Sequence, residues 1–184
     1  MADLTFESPI TKSYPAGSGD LTLSDISHTA KVLVRADVDS PAAQTLAVGF
    51  GSLRTEGETI VSGSRPDEWM ILGTAEGVAS IAGSLDTNGH VSVIDWTHGR
   101  AMFRLTGQAA SSVLEKVCSL DFSDNMTPDG AVVSASVAKV SCDLARNDVS
   151  GSPSYLILCD RSFGQYIFDT IVDAGTEFTI SANA

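Results

Sequence analysis

Leu23–Val32 reads LSDISHTAKV, and seventy residues further on Val93–Met102 reads VIDWTHGRAM. Both hold Asp-x-Ser/Thr-His, as Asp25–His28 and Asp95–His98, and the pattern takes two of the chain's three histidines. A carboxylate, a hydroxyl and an imidazole in four residues could be catalytic machinery. The two histidines could also converge as metal ligands between two halves. The recurrence favours a third origin. A catalytic constellation has no need to stand at the start of both halves of a repeat. A turn leading into a strand does, because Asp and Ser/Thr side chains bond nearby backbone amides and fix the strand's entry. His28 and His98 each lie just ahead of an apolar stretch and could cap it in the same way. No third or fourth ligand stands nearby at suitable spacing, which argues against zinc.

The elements around the two copies recur in order. Ala30–Asp37 is β-branched and bounded by polar residues, the pattern of a strand. Ser40 as N-cap and Pro41 at the first turn begin a helix that ends at the Gly49/Gly51 pair. A Gly- and Ser-containing stretch leads into the buried strand EWMILG, Glu68–Gly73. Thr74 caps a second helix with Val78, Ile81 and Leu85 on one side, and His90–Thr97 alternates as a strand. The order then restarts. Arg100–Gly107 is a strand and Gln108–Cys118 a helix. Gly130–Asn147 is one bent strand or two joined closely, and Ser152–Asp160 is a further apolar strand. Ser162–Gly175 is a helix with Phe163, Ile167, Ile171 and Val172 inward, and Thr176–Ala182 closes the chain as a strand.

EWMILG matches SYLILC, Ser154–Cys159, at an offset of 86, against 70 for the opening motif. The difference of 16 is an insertion around the loop DFSDNMTPDG. Each half therefore reads β-α-β-β-α-β. The expected fold class is α+β, with two tandem ferredoxin-like βαββαβ units in one compact domain. Residues 1–23 form an extended N-terminal arm, 24–94 the first half and 95–184 the second.

Composition removes several classes of function. Hydrophobic residues are 43% and charged ones 18%, enough for a core without expecting disorder. A net charge of −12, spread along the chain, argues against nucleic acid and anionic membrane surfaces. No apolar run reaches the ~20 residues of a membrane span, and the N-terminus lacks the pattern of a secretory signal. Cys118, Cys142 and Cys159 are an odd set without close pairing, which suits buried thiols in a reducing cytoplasm.

Catalytic signatures are weak. GFG and AGSGD do not follow strands as a phosphate-binding loop requires, and no Gly-x-Ser-x-Gly elbow occurs. Asp67 and Glu68 would point to opposite faces of a strand. The most distinctive segment is SRPDEWMIL, Ser64–Leu72, a rigid corner ahead of a buried strand. Trp69 either covers the core edge of a Pro-Asp turn or anchors a contact surface, together with Arg161 at a strand–helix junction.

LSDISHTAKVLV and VIDWTHGRAMFRLTGQAASSVLEKVCSLDF resemble the two half-openings of the T-protein of the glycine cleavage system and its folate-dependent relatives. More narrowly, SRPDEWMILG, the Asp95–Phe122 stretch and DRSFGQYIFDTIVDAGTEF are similar to the gamma subunits of heterotetrameric sarcosine oxidase. The resemblance covers residues 24–180. It implies the two-unit fold of the folate-binding domain and a non-catalytic, structural role in assembly. FAD, FMN, NAD and tetrahydrofolate are then expected on partner alpha, beta and delta subunits, with no cofactor in this chain. The assembly would demethylate sarcosine oxidatively to glycine, passing the C1 unit to tetrahydrofolate. Arg65, Asp67, Glu68, Trp69, Arg161 and Phe163 become the candidate subunit interface. T-proteins carry a carboxylate pair ahead of the strand equivalent to EWMILG, whereas this chain reads RTEGETIVSGSRP. Their C-terminal barrel and the Lys-Gly-Cys-Tyr-x-Gly-Gln-Glu signature of tRNA-modifying relatives are missing too. No catalytic residue carries over. The alternative is a stand-alone folate-binding C1 transferase or demethylase.

Overall fold

The structure, a computed structural model, describes residues 6–14 and 19–184. Parts of the expected N-terminal arm, residues 1–5 and 15–18, lie outside the described residues. The chain forms two sheets, each with helices on its outer face. One sheet holds β2 (Ala30–Arg35), β3 (Leu53–Glu56), β4 (Thr59–Arg65), β5 (Glu68–Gly73) and β6 (Ser92–Asp95) in the order β3-β4-β5-β2-β6. With α1 (Pro41–Leu46) after β2 and α2 (Ala75–Gly83) after β5, the strands β2, β4, β5 and β6 give the ferredoxin-like order, with every neighbour antiparallel.

The other sheet holds β1 (Thr22–Asp25), β7 (Arg100–Thr106), β8 (Val132–Val137), β9 (Val140–Arg146), β10 (Ser154–Asp160) and β11 (Ser181–Asn183). Its order is β11-β1-β7-β10-β9-β8, and α3 (Ala110–Val117) and α4 (Gly164–Gly175) pack against it. The expected α+β architecture of two ferredoxin-like units is what the chain adopts.

The halves are interlocked rather than side by side. β1 precedes β2 in sequence yet pairs with β7 and β11, in the other sheet. β6 precedes β7 and pairs with β2. Counted from β1 and from β6, each turn of the repeat thus begins with a strand in one sheet and continues in the other, and Asp25–His28 and Asp95–His98 lie where the chain crosses over. Thr22–Asp25 is therefore a strand of the second half's sheet, where an extended arm was expected.

Strand alternation sorts the side chains into three cores. Val34, Leu46, Val61, Trp69, Ile71 and Val78 pack under α1 and α2. Leu23, Phe103, Leu114, Tyr155, Ile157 and Phe168 pack under α3 and α4. Between the sheets lie Leu33, Ile60, Met70, Met102, Leu156 and Leu158, so the molecule has four layers, α/β/β/α.

Local chemistry explains both the matches and the misses. Ser40 Oγ accepts from Ala43 N at 3.2 Å and Thr74 Oγ1 from Gly77 N at 3.1 Å, the expected caps of α1 and α2. α1 stops earlier than Gly49, because Ala47 turns left-handed at φ 53°. The β3–β4 hairpin stands where the sequence shows only a Gly- and Ser-containing stretch. Ser62, Gly63 and Ser64 are small because they lie buried in mid-sheet, and a Cβ on Gly63 would come within 2.5 Å of Gly49 O. Gly130–Asn147 resolves into the two strands β8 and β9. Thr176–Phe178 is a 3₁₀ turn, leaving only Ser181–Asn183 as the closing strand. Phe163, expected inward, ends another 3₁₀ turn and is 45% exposed.

Candidate functional site

The two crossovers meet at the centre of the molecule and hold each other. Asp25 Oδ1 accepts from Ser27 N, and Asp95 Oδ1 from Thr97 N, each at 2.9 Å. These are paired Asx turns. The hydroxyls then reach across the pseudo-two-fold axis. Ser27 Oγ accepts from Met102 N on β7, and Thr97 Oγ1 accepts from Lys31 N on β2, both at 3.0 Å. Ile26 N donates to Met102 O at 2.9 Å and Trp96 N to Lys31 O at 2.8 Å. The bonds from Thr97 hold the Asp95 carboxyl below its ordinary value.

The recurring motif is thus a pair of matched turns that lock the strand exchange. The histidines do not cap the strands. His28 and His98 are exposed and bond to no backbone group among the described residues, and His98 stacks on Phe6 with ring centroids 5.5 Å apart. Among the described residues no group of three or more His, Cys, Asp or Glu side chains is placed to hold a metal.

At the crossing stands a residue the sequence did not single out. Lys31 is fully buried, and its ammonium donates to Thr29 O at 2.7 Å, Ser27 O at 2.8 Å and Thr97 O at 3.4 Å. Burial pushes its pKa down to about 8, against the opposing pull of Asp25 and Asp95. Its counterpart across the axis is Met102, whose place needs no charge. A signal was present: Lys31 shares a strand face with Leu33, where an apolar residue is expected.

Beside the crossovers a cavity of about 700 Å³ opens between the sheets. Val32, Ile60, Leu72 and Met102 form apolar walls, while His28, His98, Asp95, Glu58 and Arg104 stand among the polar lining. Arg104 is held by Ser154 Oγ at 3.0 Å and by Asn147, and burial lowers its pKa. Such a space suits a largely apolar body with a polar end.

The Arg-Pro-Asp-Glu-Trp corner is part of an ion-pair chain that spans both sheets. Glu68 is buried between Arg35, at 2.8 Å, and Arg65. Arg65 lies 4.0 Å from Asp143 on β9, Asp143 bonds Arg100 at 2.5 Å, and Arg100 bonds Asp160 at 2.8 Å. The next residue, Arg161, stacks on Phe6 at 5.2 Å and donates to Glu7 O. Trp69 is buried, its indole donating to Val48 O at 2.8 Å. Glu68 and Trp69 therefore face the chain's own interior rather than a partner, because each satisfies a buried group within the fold. Arg65, Asp67 and Phe163 remain accessible, and Arg161 is partly so. Nothing local in the sequence marks the charged rungs Arg100 and Asp143, because the register that joins them is long-range.

The three thiols are buried. Cys142 and Cys159 face each other across β9 and β10, and the neighbouring sulfur together with burial pushes the Cys159 thiol up.

The chain matches a family model described as the GCVT N-terminal domain over residues 53–183. It is 30% identical to the sarcosine oxidase subunit gamma of Corynebacterium sp. strain U-96, covering 89% of this chain and 83% of that subunit. The Arthrobacter sp. subunit gamma is 28% identical, over 88% and 83% of the two chains. Among solved structures, one chain of the heterotetrameric sarcosine oxidase from Corynebacterium sp. U-96, in complex with pyrrole 2-carboxylate, superposes with a TM-score of 0.76 at 24% identity, covering 89% of each. The glycine cleavage system aminomethyltransferase T from Bartonella henselae gives a TM-score of 0.65 at 15% identity, over 89% of this chain and 47% of that one. Both superpositions show a shared fold.

Proposed function

Because the chain belongs to the GCVT N-terminal domain family and, within it, to the sarcosine oxidase gamma subunits, we propose that it is the assembly subunit of a heterotetrameric sarcosine oxidase-type complex. The observation that carries this reading is 30% identity across 83% of a gamma subunit's length. In it, alpha, beta and delta partners carry FAD, FMN, NAD and tetrahydrofolate. They oxidise sarcosine to glycine and pass the C1 unit to tetrahydrofolate. Four engaged carboxylates support a non-catalytic role here. Asp25 and Asp95 are committed to turns, Glu68 to two arginines, and Asp143 to Arg100 and Ser134. A carboxylate so engaged is poorly placed to exchange protons with a substrate. Three thiols without disulfides fit a reducing cytoplasm, and no helix among the described residues is long and apolar enough to cross a membrane.

The accessible residues Arg65, Asp67, Arg161 and Phe163, beside the ion-pair chain, are the docking surface in this reading. Expression of the tagged full chain in its source should recover a flavoprotein partner with its flavin absorbance. Asp67→Lys with Phe163→Ser, both at exposed side chains outside the ion-pair chain, should reduce that recovery while leaving the melting temperature of the isolated chain in place. Trp69→Ala should instead destabilise the chain itself, by about 3–5 kcal/mol. The alternative, a stand-alone folate-binding C1 transferase, is favoured by the cavity between the sheets. Micromolar binding of tetrahydrofolate by the isolated chain, or turnover of a methylamine by it, would overturn the assembly reading.

A further inference from the structure

The eleven strands among the described residues are shared unevenly, and the imbalance locates an open seat. By the internal repeat β1 and β6 are counterparts: one lies against β7 and the other against β2, and each runs into an Asx turn. β1 is covered on its outer side by β11, in parallel register Thr22↔Ser181, Leu23↔Ala182 and Ser24↔Asn183. β6 is the last strand of its sheet. The same side-chain position shows the difference. Leu23 is 0% exposed, whereas its counterpart Val93 is 37% exposed and the neighbouring Ile94 45%.

Among the described residues no backbone pairs with the outer edge of β6. Trp96 N donates to Lys31 O, and Ile94 is opposite Leu33. Antiparallel alternation therefore gives the peptide groups of Ile94 and Ser92 to β2, and turns those of Val93 and Asp95 to the open side. At the start of β6 lies a depression of about 340 Å³ lined by Arg35, Asp37, Asp67 and His90. Arg35 is taken up by Glu68, so the carboxylates of Asp37 and Asp67 set its sign.

We propose that β6 receives a strand from a partner polypeptide, added parallel to it as β11 is added to β1. The incoming segment is extended, carries an apolar residue against Val93, and has a lysine or arginine at its N-terminal side above Asp37 and Asp67. Main-chain bonds supply the attachment, and the apolar and cationic positions supply selectivity. A second copy of this chain fits less well. Isologous pairing of β6 with itself is antiparallel and brings each acidic depression onto the other chain's Asp95, between molecules of net charge −12. The inference rests on the subunit reading above and adds the edge by which one partner attaches.

The test uses the tagged full chain and the partners that co-purify with it. Val93→Pro removes an outward donor and no bond to β2, a substitution that an edge strand tolerates. It should weaken partner retention by about tenfold or more while the isolated chain unfolds at the wild-type temperature. Independently of that variant, the Val93 and Asp95 amides of the wild-type chain should exchange hydrogen at least about tenfold more slowly in the complex than alone. Partners retained by the wild-type chain with those amides unprotected would overturn this inference and leave the subunit reading standing. A wild-type chain that retains no partner would overturn both. A wild-type homodimer that Val93→Pro dissociates would assign the edge to a second copy and overturn the assignment made here.

Discussion

Lys31 is the residue in which the fold's geometry and its electrostatics meet. Between about pH 8 and the ordinary lysine value of 10.5, the unfolded chain holds its proton and the folded chain does not. Stability must therefore rise with pH across that window, be complete above it, and be lost as pH falls through about 8. Lys31→Met places its own pseudo-symmetric counterpart there and removes the titration. Thermal denaturation of both chains from pH 7 to 10.5 should show the wild type gaining on the variant, by no more than about 3 kcal/mol. Parallel curves would mean that the ammonium reaches solvent in the folded chain. At this scale the sequence was legible where chemistry is local. Asp25 with Ser27 and Asp95 with Thr97 form the turns their spacing suggested. Trp69 and Glu68 were ambiguous because nothing within the corner shows that Val48 O and Arg35, far away in sequence, complete them.

Among elements, the legible ones carry their own punctuation: α1 and α2 with hydroxyl caps, β5 and β10 with unbroken apolar runs. The β8–β9 hairpin hid its turn. Ala138 and Lys139 adopt φ 47° and 70° without the Gly or Asn such a turn usually takes. That geometry predicts a gain: Lys139→Gly relieves a left-handed side chain at an exposed position and should stabilise the chain by about 0.5–1 kcal/mol, read as a higher denaturant midpoint with an unchanged slope. β4 was hidden for the opposite reason, since its small Ser62, Gly63 and Ser64 are buried in mid-sheet, and β3 beside it is half exposed and polar.

For the whole molecule, the repeat was visible but the exchange was not, because a strand's partner cannot be read from the strand. β1 and β6 have the same look whether they join their own half or the other. The exchange makes the halves interdependent, and a chain cut ahead of Val91, which leaves β6 on the second fragment, tests it. Residues 1–90 or 91–184 alone should give no cooperative thermal transition, whereas the two expressed together should assemble and restore one. A cooperative transition in either half alone would show that the exchanged strands are dispensable. Each half lending its leading strand to the other is the geometry of a swapped homodimer, written once into a single polypeptide. Covalent joining turns an association between molecules into a loop closure, at an effective concentration fixed by the linking chain. Dilution, which dissolves a swapped pair, leaves this one folded.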